Sequence, residues 1–204
     1  HLAGAAVLGV ALGAATSAMA QTDLTMSSWV PPAHSVTKTL AAWAQDVGKA
    51  SNGRIRITML PKAPMAPLGT LDGVISGLVD ISFVSHGYTP GRFVITKAAE
   101  MPFLGDSAEI TSVAYQRGTF SKSGEHKGLK VLAVFTHGPG TIANTRKPIN
   151  SLADAAGMKI RVGGGLMHEI ANAIGVNALL KPAPAAPGDE IQKKIVGHIL
   201  DIKP

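Results

Sequence analysis

The residue best placed to do chemistry is Arg161. It lies in the stretch Met158 to Val162, between Ile160 and Val162, and Gly163-Gly164-Gly165 follows directly. Met158 to Val162 reads as a strand, so the arginine side chain points to the face opposite both apolar neighbours. Leu166 to Ile174 has helical spacing. The order is therefore strand, glycine turn, helix, with a guanidinium near the strand's carboxyl end. Ligands of α/β sheets bind at that end. A guanidinium there can grip a carboxylate through two parallel hydrogen bonds. The helix start beside it adds N–H groups and positive potential. The chemistry on offer is anion capture.

Other constellations fall short of a mechanism. His168-Glu169 opens like a zinc H-E-x-x-H site, but position 172 is Asn. The glycine triplet is not followed by Lys and Ser or Thr, so it is not a phosphate loop. No G-x-S-x-G elbow exists. With no cysteine, thiolate zinc sites and cysteine nucleophiles are excluded. His34, His86, His126, His137 and His168 show no pair spacing for a metal. These residues call for no cofactor, and the chain reads as a non-enzyme. Trp29, His34, His86, Tyr88, Phe103 and His137 fall on loops after or near strands. Each could line a cleft, and Trp29 and Tyr88 are favoured because pockets combine aromatic walls with a few polar groups.

Hydrophobic residues make up 46% of the 204-residue chain but aromatics only 4%, so a core must be built from aliphatic side chains. Net charge is +6, yet charged residues are sparse at 16% and not interleaved with aromatics. That argues against nucleic acid and for a field that collects small anions. Residues 1–20 carry no Asp, Glu, Lys or Arg. An apolar run from Ala5 to Ala15 leads to Ala18-Met19-Ala20, a small-x-small cleavage site. The expectation is a signal peptide cleaved after Ala20 and an exported, periplasmic mature protein.

The positioning elements follow in order. Asp23 to Trp29 reads as a strand. His34-Ser35 opens a helix with Val36, Leu40, Trp43 and Val47 on one stripe. Arg54 to Met59 alternates strictly and reads as a strand. A proline-marked loop, a helix from Leu68 to Leu78 and a short buried strand from Asp80 to Val84 come next. This order implies a parallel sheet with crossovers. A helix starts at Thr111. Leu129 to Phe135 and Thr141 to Thr145 read as strands, the second crossing between lobes, with the boundary near Gly140. Ser151 caps a short helix that Gly157 ends, and Val176 to Leu180 is another strand. Asp189 to Leu200 carries Ile191, Ile195 and Ile199 on one helical stripe.

"PINSLADAAGMKIRVGGG" resembles the segment that delivers the carboxylate-holding arginine in the solute-receptor subunit of TRAP transporters, the tripartite ATP-independent periplasmic transporters (DctP-like family). "SSWVPPAHS", "SNGRIRITMLP", "LDGVISGLVDISFVS" and "AEMPFL" are similar to that family's first domain, in order and spacing. The resemblance implies an α/β, two-lobed periplasmic-binding-protein-like fold with a mainly parallel sheet in each lobe. Residues 1–20 would be the signal peptide, 21–140 the first lobe and 141–204 a partial second lobe. From about residue 185 the tail diverges, so the chain reads as a shortened member with its second lobe incomplete. The resemblance gives the carboxylate grip to Arg161 and implies polar ligand contacts from Thr141 and Asn144. With Trp29, Tyr88 and His34 these are the candidate site residues. The implied function is capture of a small organic acid in the cleft, for delivery to the membrane subunits of a TRAP transporter. Two rival readings are an effector-sensing domain of a regulator and an enzyme acting on a carboxylated or phosphorylated metabolite. The leader-like N-terminus and the lack of paired acid/base residues count against them.

Overall fold

The computed structural model describes residues 20–118, 123–138 and 140–182. The first sheet has three parallel strands in the order β2-β1-β3: β1 (Thr22–Ser27), β2 (Ile55–Met59) and β3 (Ile81–Ser82). β1 is central, and Met26 and Ser27 on it are fully buried. β2 alternates between half-buried and exposed residues, as expected of an edge strand with one wet face. Side chains lock the β1–β3 register. The Thr25 N–H and hydroxyl each donate to Asp80 Oδ2 at 2.7 Å, and the Ser82 hydroxyl donates to the Ser27 carbonyl at 3.0 Å. Those charge-assisted bonds hold the exposed Asp80 carboxyl below its ordinary pKa.

Helix α1 (Ser35–Ala50) joins β1 to β2 and packs on β2. His34 caps it, Nδ1 accepting the Val36 N–H at 3.2 Å. Thr37 and Ala44 are buried along its inner face, while Trp43 lies at its margin, 36% exposed. The expected helix from Leu68 to Leu78 begins instead as a 3₁₀ turn, Pro67–Gly69, with Pro67 at its start, where a missing N–H costs nothing. It becomes α2 only at Thr70–Ile75. α3 (Ala108–Arg117) is capped by the Ser107 hydroxyl and starts earlier than the Thr111 expected.

The second lobe is a β-α-β unit. α4 (Leu152–Ala155) carries the full capping box, Ser151 and Asp154 bonding reciprocally. Gly157 follows with φ of +71°, the left-handed turn that glycine favours. β4 (Lys159–Val162) and β5 (Asn177–Leu180) pair in parallel, Arg161 opposite Leu179, and α5 (Leu166–Ala173) crosses between them. Ala155, Val162, Ala171 and Val176 form its buried core, with Ile149, Ile160, Ile174 and Ala178 packed against it.

Two expected strands are corrected. Leu129 to Phe135 and Thr141 to Thr145 have no ladder partner among the described residues. A strand needs a neighbour to take its N–H groups. In the first of them α3 intervenes: the Val134 N–H donates to Gln116 Oε1 at 2.8 Å, and just beyond the segment the Thr136 N–H donates to the Ser112 hydroxyl at 2.9 Å. The strand expected over Asp80 to Val84 keeps only Ile81 and Ser82 for the same reason, since β1 offers pairing as far as Ser27. The leader-like residues 1–19 and the tail helix at Asp189 to Leu200 lie outside the described residues. Among the described residues no helix is long and apolar enough to cross a membrane.

Candidate ligand-binding cleft

Arg161 holds the third place of β4, and its side chain leaves the apolar core on the face opposite Ile160 and Val162. Its Nε donates to the Lys181 carbonyl at 2.8 Å, which fixes the plane of the guanidinium. Its Nη2 donates to the Tyr88 hydroxyl at 3.3 Å. Tyr88 belongs to the first lobe. It sits in a single 3₁₀ turn, His86–Tyr88, beyond β3 and is 6% exposed. The arginine thus reaches across from the second lobe to the first. Two of its five N–H donors are placed by these contacts.

An aromatic ladder runs away from that contact. Tyr88 meets Trp29 with centroids 5.3 Å apart, tilted by 54°. Trp29 stacks on Phe83 at 5.4 Å and Phe83 on Phe135 at 5.7 Å, both pairs within 15° of parallel. The Trp29 indole N–H donates to the Phe83 carbonyl at 3.0 Å, so the ring is held edge-on by the loop after β3. Stacking of this kind adds about 0.5–1.5 kcal/mol per pair beyond area burial. Four of the chain's nine aromatic residues are gathered here.

The lobes also meet beside the glycine triplet. The backbones of Gly87 and Gly164 approach so closely that a Cβ on Gly164 would lie 2.0 Å from the Gly87 carbonyl oxygen. Two residues on, Glu100 Oε2 accepts the Leu166 N–H at 2.5 Å. Lys97 forms an ion pair with Glu169 on the first turn of α5. A cavity of about 250 Å³ lies between these groups, walled by His86, Gly87, Phe93, Gly164, Gly165 and His168. A larger concavity of about 440 Å³ lies between α1 and the β2 edge. It is apolar, and its one charged group, Arg56, is already paired with Asp23 at 2.5 Å. Volume alone favours that groove; the convergent polar groups favour the cleft.

Burial acts on two titratable groups of the cleft. Burial pushes the Glu100 carboxyl up, against the Leu166 N–H and Lys97, which pull it down. Burial, with the neighbouring His126 second, lowers His86 to about 4. His86 is stacked on Phe93 with ring centroids 4.0 Å apart, and its Nε2 is 3.3 Å from His126 Nε2. A histidine whose folded pKa is depressed contributes stability that is complete above its unfolded value of about 6.5 and is lost as pH falls through about 4. The expected result is a midpoint of thermal unfolding that declines over this window, and declines less in His86→Phe. An equal pH response in the variant would assign the loss to other groups.

Of the six candidate residues, the structure brings Arg161, Tyr88 and Trp29 together. His34 is on the surface capping α1. Asn144 closes a local turn, its Oδ1 accepting the Arg146 N–H at 2.9 Å and its amide donating to the Lys147 carbonyl. Thr141 is exposed. The sequence did not single out Phe83, Phe135, Lys97, Glu100 or Gly87. Glu100 lies inside the "AEMPFL" stretch, which was the one available signal for it.

The model for bacterial extracellular solute-binding proteins, family 7 (DctP), matches residues 26–188. The chain belongs to this family. Its fold is that of the TRAP periplasmic receptors. A receptor of Bordetella bronchiseptica with bound (R)- and (S)-mandelate is 42% identical, with a TM-score of 0.76 over 87% of this chain and 56% of that one. A marine-metagenome receptor specific for aromatic acids, solved with 3-hydroxybenzoate, is 34% identical, with a TM-score of 0.77 over 86% and 56%. The outer membrane transporter protein TsaT of Comamonas testosteroni is 28% identical over 201 residues, 96% of this chain and 57% of its own length. The chain thus spans about half the length of the relatives it matches. This DctP-family chain holds two parallel sheets, β2-β1-β3 and β4-β5.

Proposed function

We propose that the protein is the extracytoplasmic receptor of a TRAP transporter and that it captures a small aromatic monocarboxylate between its lobes. The observation that carries the reading is the bond from Arg161 Nη2 to the Tyr88 hydroxyl at one end of the Tyr88-Trp29-Phe83-Phe135 ladder. Because Nε is tied to the Lys181 carbonyl, the end-on pair of guanidinium nitrogens is the fork that meets a carboxylate. The ring of the ligand lies along the aromatic wall. The two relatives with aromatic acids bound support that class. The site contributes binding and no reaction step. Ligand contacts to both lobes stabilise the closed arrangement, which the membrane subunits then read. On this reading residues 1–20 are the export signal, 21–140 form the first lobe, and residues from 141 onward enter the second.

The test is thermal unfolding of the protein at its natural full length with benzoate, mandelate and a neutral sugar. At 100 times Kd a ligand stabilises by about 2.7 kcal/mol, a rise of several degrees in Tm. The acids should raise Tm and the sugar should not. A rise with the sugar alone, or with none of them, overturns the reading.

A further inference from the structure

The bond between Arg161 and Tyr88 has a counterpart away from the aromatic wall. Lys97 and Glu169 are 72 residues apart in sequence and form an ion pair. Glu169 lies on the first turn of α5, which packs on β4 and β5, so the β-α-β unit that carries Arg161 carries it too. Lys97 lies on the 3₁₀ turn Thr96–Glu100. The Glu125 carboxylate anchors the start of that turn, accepting the N–H groups of Val94 at 2.6 Å, Ile95 at 2.7 Å and Thr96 at 2.9 Å. The next residue, His126, places Nε2 3.3 Å from Nε2 of His86, which opens the turn that carries Tyr88. Lys97 and Tyr88 therefore belong to one body, and Glu169 and Arg161 to the other. A movement that separates the two bodies breaks both contacts together. The ion pair is suited to being broken. The Lys97 side chain is 30% exposed and that of Glu169 60%, so parting them strands no charge in a dry interior.

We infer that Lys97 and Glu169 are positioning residues for ligand capture: their ion pair is a latch that holds the cleft shut over a ligand bound at Arg161. The inference rests on the receptor reading above. A contact made only in the closed arrangement adds its own stabilisation to that arrangement, and so raises affinity without meeting the ligand. The latch forms after the encounter, so its loss shortens the bound lifetime and leaves the association rate alone. Its strength is that of an exposed ion pair, about 3-fold in affinity. Lys97 counts for more than its partner, because it also offsets the charge of Glu100 on its own turn. Without Lys97 the carboxylates of Glu100 and Glu169 repel each other across the closing surface.

The test is a double-mutant cycle in the protein at its natural full length, with benzoate as the ligand. Calorimetry gives the affinities and stopped-flow tryptophan fluorescence the rates. Glu169→Gln is expected to cost about 3-fold in affinity and Lys97→Met about 5-fold, each through faster dissociation. In the Lys97→Met background, Glu169→Gln should cost nothing further, because the pair is already gone. Lys97→Arg keeps the charge and the reach, and should bind within about 2-fold of the parent. Unliganded unfolding midpoints should match the parent's, since an open cleft does not hold the pair. Additive losses in the double variant, or parent-like dissociation in both single variants, would overturn the latch while binding of benzoate by the parent leaves the receptor reading intact. A fall in the unliganded midpoint that accompanies the loss of affinity would make the pair a structural brace and overturn the inference. No binding of any acid by the parent would overturn the receptor reading, and the latch with it.

Discussion

Arg161→Lys is expected to weaken binding of an aromatic carboxylate by about 100-fold while leaving the unliganded unfolding midpoint almost unchanged. The charge survives this substitution, so a long-range attraction would survive with it. What disappears is the planar fork and the bond from Nε to the Lys181 carbonyl that sets its plane. Two charge-assisted hydrogen bonds at about 1.5 kcal/mol each give about 3 kcal/mol, or roughly 100-fold. Arg161 makes no contribution to the second-lobe core, which consists of Ala155, Val162, Ala171 and Val176 on the other face of the strand. The fold should therefore tolerate the change. Calorimetry with benzoate checks the affinity and a melt without ligand checks the fold. Equal affinities would take Arg161 out of the site. A large fall in unliganded stability would make its role structural.

The arginine was legible in the sequence because its signal is local. Strand alternation sets its direction, and the glycine triplet marks the strand end four residues before the α5 stripe begins. The first lobe was legible for similar reasons, in the strict alternation of Arg54 to Met59, and so was the second, in the Ser151 cap before α4. Leu129 to Phe135 shows where this reasoning runs out. Its composition suits a strand, but a strand is a property of a pair. Here Gln116 of α3 takes the Val134 N–H, and Ser112 takes the Thr136 N–H just beyond the segment. The cleft contacts fail the local test altogether. Glu100 and Leu166 are 66 residues apart, and nothing near either announces the other. The stacked partners Phe83 and Phe135 read from sequence as one aromatic in a short strand and one in a longer one. Only the folded chain makes them a wall beside Trp29.

Closure between the lobes depends on two glycine backbones, so Gly164→Ala should abolish high-affinity binding without unfolding either lobe. At Gly164 φ is +87°, a left-handed value that costs a residue with Cβ roughly 1–2 kcal/mol. The added Cβ would also lie 2.0 Å from the Gly87 carbonyl oxygen and 2.9 Å from its carbon. Those are backbone atoms of the other lobe, and they can yield only by moving the lobes apart. Separation carries Tyr88 away from Arg161, since Tyr88 follows Gly87 directly and reaches the guanidinium at 3.3 Å. The neighbouring glycine supplies the control. A Cβ on Gly163 would meet Arg161 Nη2 at 3.9 Å, an ordinary contact, and its φ lies outside the left-handed region. Gly163→Ala should therefore bind within a few-fold of the parent, while Gly164→Ala loses about 100-fold or more, the equivalent of about 2.7 kcal/mol. Small-angle scattering adds an independent reading. The parent and Gly163→Ala should become more compact on adding benzoate, and Gly164→Ala should not. Normal compaction and affinity in Gly164→Ala would mean that the lobes do not close through this contact. Equal damage from both alanines would point to the glycine loop's own conformation, not to the approach of Gly87.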